Sequence, residues 1–206
     1  MTTQPTDSKK DLILNTARLL LARQGFAKTT LDDIANALGM KKSSLYYYYT
    51  NKDALLDDVM KREQENYFSA VLKSVEQSDS AIDKIINFEK TKFGYLQESL
   101  KFHDMNAGIM LELKGKMFRH IQSIHQAESD IIDKILQEGA RRNEIKKCNT
   151  KKVAKLILTF SEALRHREFY FASFSVDKTI DFNKVTDEMI FAVKLIFDGL
   201  KINNEE

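Results

Sequence analysis

Helix breakers are nearly absent from this chain: one proline, at position 5, and seven glycines in 206 residues. Proline removes a backbone donor, and glycine is otherwise the least favourable residue in a helix interior, so a chain this poor in both has long stretches where nothing stops a helix. The expected fold class is all-α, with about nine helices. A hydrophobic content of 43% and a charged content of 30% match a globular chain with a core, not a disordered one.

Taken in order, residues 1 to 7 read as a disordered tail. Ser8 with Asp11 gives a capping-box pattern for a helix to about Gln24, with Ile13, Ala17 and Leu20 on one face. The stretch Gly25 to Asp53 then reads as two short helices around a tight turn. Thr30 caps the first, with Asp33 three residues on, and Gly39 ends it, since a residue without Cβ turns easily through the left-handed region. The second starts near Lys41 and Lys42 and runs through four tyrosines. Ile34, Ala35 and Leu38 on the first helix, and Leu45 and Tyr49 on the second, fall where they pack the pair together. That leaves Lys42, Ser43, Ser44, Tyr46, Tyr47 and Tyr48 turned partly outward, rich in donors and without an acid. Such a pair is a helix-turn-helix, whose second helix enters a DNA major groove.

Charge agrees with this placement. Residues 1 to 52 carry eight Lys/Arg against four Asp/Glu, and the rest carries 24 against 26. A basic head on a near-neutral body confines the electrostatic footprint to one end.

These residues resemble the N-terminal domain of the tetracycline-repressor (TetR) family of bacterial transcription regulators. The matching features are Gly25-Phe26, Thr29-Thr30-Leu31, Asp33-Ile34-Ala35, Leu38-Gly39, Ser44 through Tyr49, and Asn51-Lys52-Asp53-Ala54-Leu55-Leu56. They cover the first quarter of the chain; the rest matches in length and helical character. The resemblance implies a DNA-binding domain over 1–52 and a helical ligand-binding and dimerisation domain over 53–206. Residue by residue, Lys41, Lys42, Ser43 and Ser44 open the recognition helix, and Tyr46, Tyr47 and Tyr48 reach phosphates or thymine methyls. Lys52 and the backbone amides at the Thr30 helix start bind phosphate. Tyr48 departs from the histidine frequent in the family at that position.

Beyond the head, the pattern predicts a long helix from Lys52 to Gln77, another from about Ala81 to Lys101, and a short one from His103 to Lys114. Gly115 separates that from a long helix to about Ala140. A further helix starts at Asn149 or Thr150, a loop follows over 172–183, and a last helix runs from Lys184 to Lys201. The last is apolar on two sides, with Met189, Val193, Ile196, Phe197 and Leu200 on one and Phe191 and Leu195 on another. One side belongs to the chain's own core and the other to a partner. The resemblance makes that partner a second copy. The expected interface is Val153, Ile157, Met189, Val193, Ile196, Phe197 and Leu200, in a homodimer presenting two heads to a palindromic double-stranded DNA operator.

The resemblance also implies a small-molecule pocket in the body. Candidate lining residues are Phe88, Lys92, Met110, Met117, Ile121, Phe160, Leu164, Arg165 and Phe169, although a helical core uses the same residue types. Arg165, Arg119, Lys92 and His166 suit an acidic head, as in a fatty acid or acyl-CoA; Glu89, Glu112 and Glu162 suit an organic cation. An apolar effector with an acidic head is the expectation.

Enzyme chemistry has no support. The chain holds no G-x-S-x-G, no phosphate-cradling glycine loop and no H-E-x-x-H. His120 and His125 fall about 140° apart on a helix, too far round to share a metal. Cys148 is the only cysteine, which excludes an intramolecular disulfide. No cofactor and no metal is expected. No apolar run approaches a membrane span, and the expected location is cytoplasmic. Two other readings stay open: a ligand-independent DNA-binding protein, and a helical scaffold whose head binds a protein.

Overall fold

The computed structural model describes residues 5–101, 107–174 and 180–202, with backbone alone at 5–8, 99–101, 107–117 and 173. Eight helices follow one another: α1 (Pro5–Gln24), α2 (Leu31–Ala37), α3 (Lys42–Tyr48), α4 (Lys52–Val75), α5 (Ala81–Lys101), α6 (Ala107–Arg141), α7 (Thr150–Phe174) and α8 (Phe182–Leu200). No strand occurs among the described residues. The all-α expectation holds.

Helix boundaries follow local chemistry. α1 begins at Pro5, so residues 5 to 7 are helical where a tail was expected; a proline in the first turn has no N–H to lose there and its φ already suits a helix. Both halves of the Thr30 and Asp33 capping box form, with Asp33 N donating to Thr30 Oγ1 at 3.1 Å and Thr30 N donating to Asp33 Oδ2 at 2.8 Å. Ser80 caps α5 through the Asp83 amide at 3.2 Å, and Asn149 caps α7 through the Lys152 amide at 3.0 Å. The short helix expected before Gly115 and the long one after it are a single α6, because one glycine costs only about 1 kcal/mol relative to alanine and does not stop a helix with good formers on both sides. That merger takes nine helices to eight. The expected start of the short helix, around His103, lies outside the described residues.

The described residues form two compact units: Met1–Asn66 with Ser99–His120, and Tyr67–Glu98 with Ile121–Glu206. In the first, Ile13, Leu14, Ala17, Leu31, Ile34, Ala35, Leu45, Tyr49, Leu55 and Val59 make one buried cluster, and Leu21, Phe26 and Leu56 make another. Helices α2 and α3 have seven residues each, far below the length at which a helix stands alone, so α1 and the start of α4 supply the surface that holds them.

The second unit buries Ile85, Phe88, Phe93, Ile132, Leu136, Ile145, Ile157, Leu158 and Met189, among others. The start of α5 and the end of α6 approach so closely that a Cβ on Gly139 would come within 2.7 Å of the Ala81 Cβ. Helices α7 and α8 pack on each other. The side of α8 carrying Met189, Val193, Phe197 and Leu200 faces inward, while Phe191 and Leu195 are more than half exposed.

Candidate nucleic-acid interface

A side-chain cap, a left-handed turn and two buried anchors position the recognition helix. Asp33 is held below the usual carboxylate range by its hydrogen bonds from Thr30, so the cap stays ionised and fixes the start of α2. Gly39 turns the chain at φ 63°; a Cβ there would meet nothing within 4 Å, so conformation and not space requires the glycine. Leu45 is fully buried and Tyr49 nearly so. The Tyr49 hydroxyl donates to Asp58 at 2.9 Å, and Lys10 completes that acid's partners at 2.8 Å. Burial and Asp58 together push the Tyr49 hydroxyl up beyond any physiological titration.

With α3 anchored on Leu45 and Tyr49, the rest of its surface is outward. Lys41, Lys42, Ser43, Ser44, Tyr46 and Tyr47 are exposed, Tyr47 by 84%, while Tyr48 is half-buried against the core. The Tyr47 and Tyr48 rings meet edge to face with centroids 5.5 Å apart. The exposed side therefore offers amines, hydroxyls and one flat aromatic face, the donor-rich set that reads acceptors on base edges and phosphates.

Of the three lysines expected on DNA, two are engaged within the protein. Lys42 Nζ donates to the Asp32 carboxylate, which raises the lysine's pKa and ties the first turn of α3 to that of α2. Lys52, expected on phosphate, has its ammonium bonded within the head. It donates to the carbonyls of Phe26 and Thr29, the latter at 2.7 Å, and lies 4.2 Å from the centre of the Phe26 ring. Thr29 Oγ1 donates to the Gly25 carbonyl at 2.8 Å, so the loop between α1 and α2 is held from both sides. The Thr30 amide, also expected on phosphate, is taken by Asp33.

Lys52→Ala is accordingly expected to lower stability by about 2 kcal/mol, the range for a hydrogen-bonded charge, and to weaken operator and random DNA alike through loss of the folded head. A thermal melt beside a binding titration checks this. An unchanged melting temperature with weakened binding would return Lys52 to the phosphate.

In the second unit the expected ligand residues do not share one environment. Phe88 and Leu164 are core, Phe160 and Ile121 are exposed, and Phe169 meets the Phe182 ring at 6.5 Å. Met110 and Met117 lie outside the described side chains. Lys92 is neutralised by Glu128 at 2.9 Å and is not free to receive an acid, while the buried Arg165 Nε has no acceptor among the described residues. The network around Lys92 was not foreseen from sequence. Tyr67 also donates to Glu128, and Ser161 Oγ donates at 2.8 Å to fully buried Glu89, whose other oxygen has no described partner. Burial pushes Glu89 up to about 7, against the pull of Lys92.

The expected interface residues also divide. Ile157, Met189, Val193, Phe197 and Leu200 are buried in the chain's own core, and Val153 and Ile196 are half-buried. Leu156 and Phe160 on α7 and Phe191 and Leu195 on α8, each pair four residues apart, are exposed.

His120 pairs with Asp57 at 2.8 Å and His125 with Glu162 at 3.3 Å. No group of three His, Cys, Asp or Glu among the described residues is placed to hold a metal. Among the described residues, no helix is long and apolar enough to cross a membrane.

A capped helix-turn-helix with an outward, acid-free second helix defines a DNA-binding transcriptional regulator. Residues 13–59 match the model of the bacterial regulatory proteins, tetR family. The chain is 27% identical over 131 residues to the biofilm operon icaADBC HTH-type negative transcriptional regulator IcaR of Staphylococcus aureus strain Newman, covering 63% of this chain and 70% of that protein. A transcriptional regulator from Cytophaga hutchinsonii superposes with a TM-score of 0.77 at 24% identity, over 95% of this chain and 100% of that one. The fatty acid degradation regulator FadR from Bacillus halodurans does so at 0.70 and 16% identity, over 94% and 96%. These two similarities show the fold. Residues 13–59 thus form a DNA-binding head of the tetR family of bacterial regulatory proteins, and the relatives that the chain resembles are transcriptional regulators.

Proposed function

We propose that this regulator is a cytoplasmic repressor that binds a palindromic operator as a homodimer and is released by a small apolar ligand in its C-terminal helices. The observation that carries the DNA reading is the exposed face of α3, where Lys41, Ser43, Ser44, Tyr46 and Tyr47 stand outward with no acid among them. The Staphylococcus relative is a negative transcriptional regulator. The homodimer rests on the apolar pairs left outward on α7 and α8, which suit a four-helix contact between copies. An apolar effector with an acidic head, such as a fatty acid or acyl-CoA, draws support from the fatty acid degradation regulator of like fold and from the unpaired Arg165 Nε.

Selection of bound sequences from a random duplex pool, with the purified full chain at moderate salt, tests this reading. Enrichment of a palindrome is expected. Enrichment of a single half-site would remove the dimer, and no enrichment by folded protein would remove the operator.

A further inference from the structure

An open groove of about 670 Å³ runs between the start of α1 and the recognition helix. Lys9, Leu12 and Ile13 line one wall; Lys41, Ser43, Ser44, Tyr47 and Tyr48 line the other, over a floor of Leu38 and Met40. Lys9 stands outside both the helix-turn-helix and the matched span of 13–59. Two of the ten lining residues are lysines and none is acidic. Among the described residues, neither Lys9 nor Lys41 has an ion-pair partner, whereas Lys10, the next residue on α1, is committed to Asp58 at 2.8 Å.

The occupant that fits this chemistry is a polyanion with an apolar ribbon between its charges. A DNA strand meets that description, with phosphates for the two ammoniums and the serine and tyrosine hydroxyls, and sugars for the leucine and methionine floor. The geometry points to Lys9 as a DNA-backbone contact that closes on one strand from the side opposite Lys41, so that α1 takes part in DNA binding as well as in folding. This rests on the reading of α3 as the DNA-facing helix. A lysine placed on phosphate adds affinity without base preference, and its signature is the salt dependence of binding.

The experiment compares wild type, Lys9→Ala and Lys10→Ala as full chains on the selected operator and on random duplex, across a salt series. Lys9→Ala is expected to reduce the slope of log affinity against log salt by about one unit per head and to weaken both DNAs by the same factor. Lys10→Ala, which removes the same formal charge one residue away, is expected to change the slope less. Equal slopes for wild type and Lys9→Ala overturn the contact. An equal reduction of the salt slope by both variants also overturns it, because that outcome marks a general charge effect. Failure of the wild type itself to bind any duplex would instead bring down the DNA reading beneath it.

Discussion

Glu89→Gln is expected to stabilise the protein at pH 8 by about 3 kcal/mol and to leave its stability below pH 4.5 nearly unchanged. Glu89 is fully buried on α5, and burial raises its carboxyl from 4.5 to about 7, with Glu128 adding to the rise while Lys92 and Ser161 oppose it. A carboxyl raised on folding binds more protons in the folded than in the unfolded chain between those two values. Its contribution is fully present below 4.5 and is lost as pH rises to 7, at up to about 1.4 kcal/mol per pH unit. The glutamine keeps the volume and an acceptor for Ser161 but carries no charge to desolvate. Urea unfolding of both proteins at pH 4.5, 6 and 8 measures the difference. A gap that grows with pH is expected; a gap that is constant, or that favours wild type at pH 8, would mean the carboxylate is stabilised in the folded state. A buried acid kept at such a cost, with one oxygen that has no described partner, is the kind of group found where a protein meets a ligand.

The head was legible in sequence because its determinants are local. The Thr30 and Asp33 box spans four residues, Gly39 follows at the end of α2, and Leu45 and Tyr49 are one turn apart, so periodicity and capping place them without knowledge of the rest. The partners of Lys52 within the protein were not legible, for the opposite reason. Its carbonyl partners lie 23 and 26 residues earlier, on a loop whose path depends on how α1 and α4 pack. The network of the second unit is more remote still: Ser161 to Glu89 spans 72 positions and Tyr67 to Glu128 spans 61, and helical periodicity carries no information at that range.

Helix α8 shows a different limit. Its spacing revealed two apolar faces, and the structure has two, but spacing alone does not say which faces inward. The wider stripe is the better seal for the chain's own core, and it took that place. The narrower pair, Phe191 with Leu195, remained outside.

Leu45→Ala is expected to cost 2–5 kcal/mol locally and to abolish recognition of the operator, although Leu45 touches no DNA in any arrangement that uses the outward face of α3. It is the one fully buried residue within this seven-residue helix, and the Tyr49 that follows it is held at its rim by Asp58. A helix of that length has no stability of its own, so loss of the leucine frees α3 from α2 and scatters Lys41, Ser43, Ser44 and Tyr47. Tyr47→Ala is the opposite case. At 84% exposure the ring contributes little to the core, so this variant is expected to keep the wild-type melting curve and lose only DNA affinity. Hydrogen exchange separates the two, since Leu45→Ala should expose the amides of α2 and α3 while those of α7 and α8 keep their protection. Operator binding at wild-type strength by Leu45→Ala, with α3 shown to be open, would mean that another surface reads the DNA. The contrast follows from the order of dependence in the head: the cap and glycine set the turn, the turn and Leu45 set the helix, and only a set helix holds its donors at the spacing of a groove.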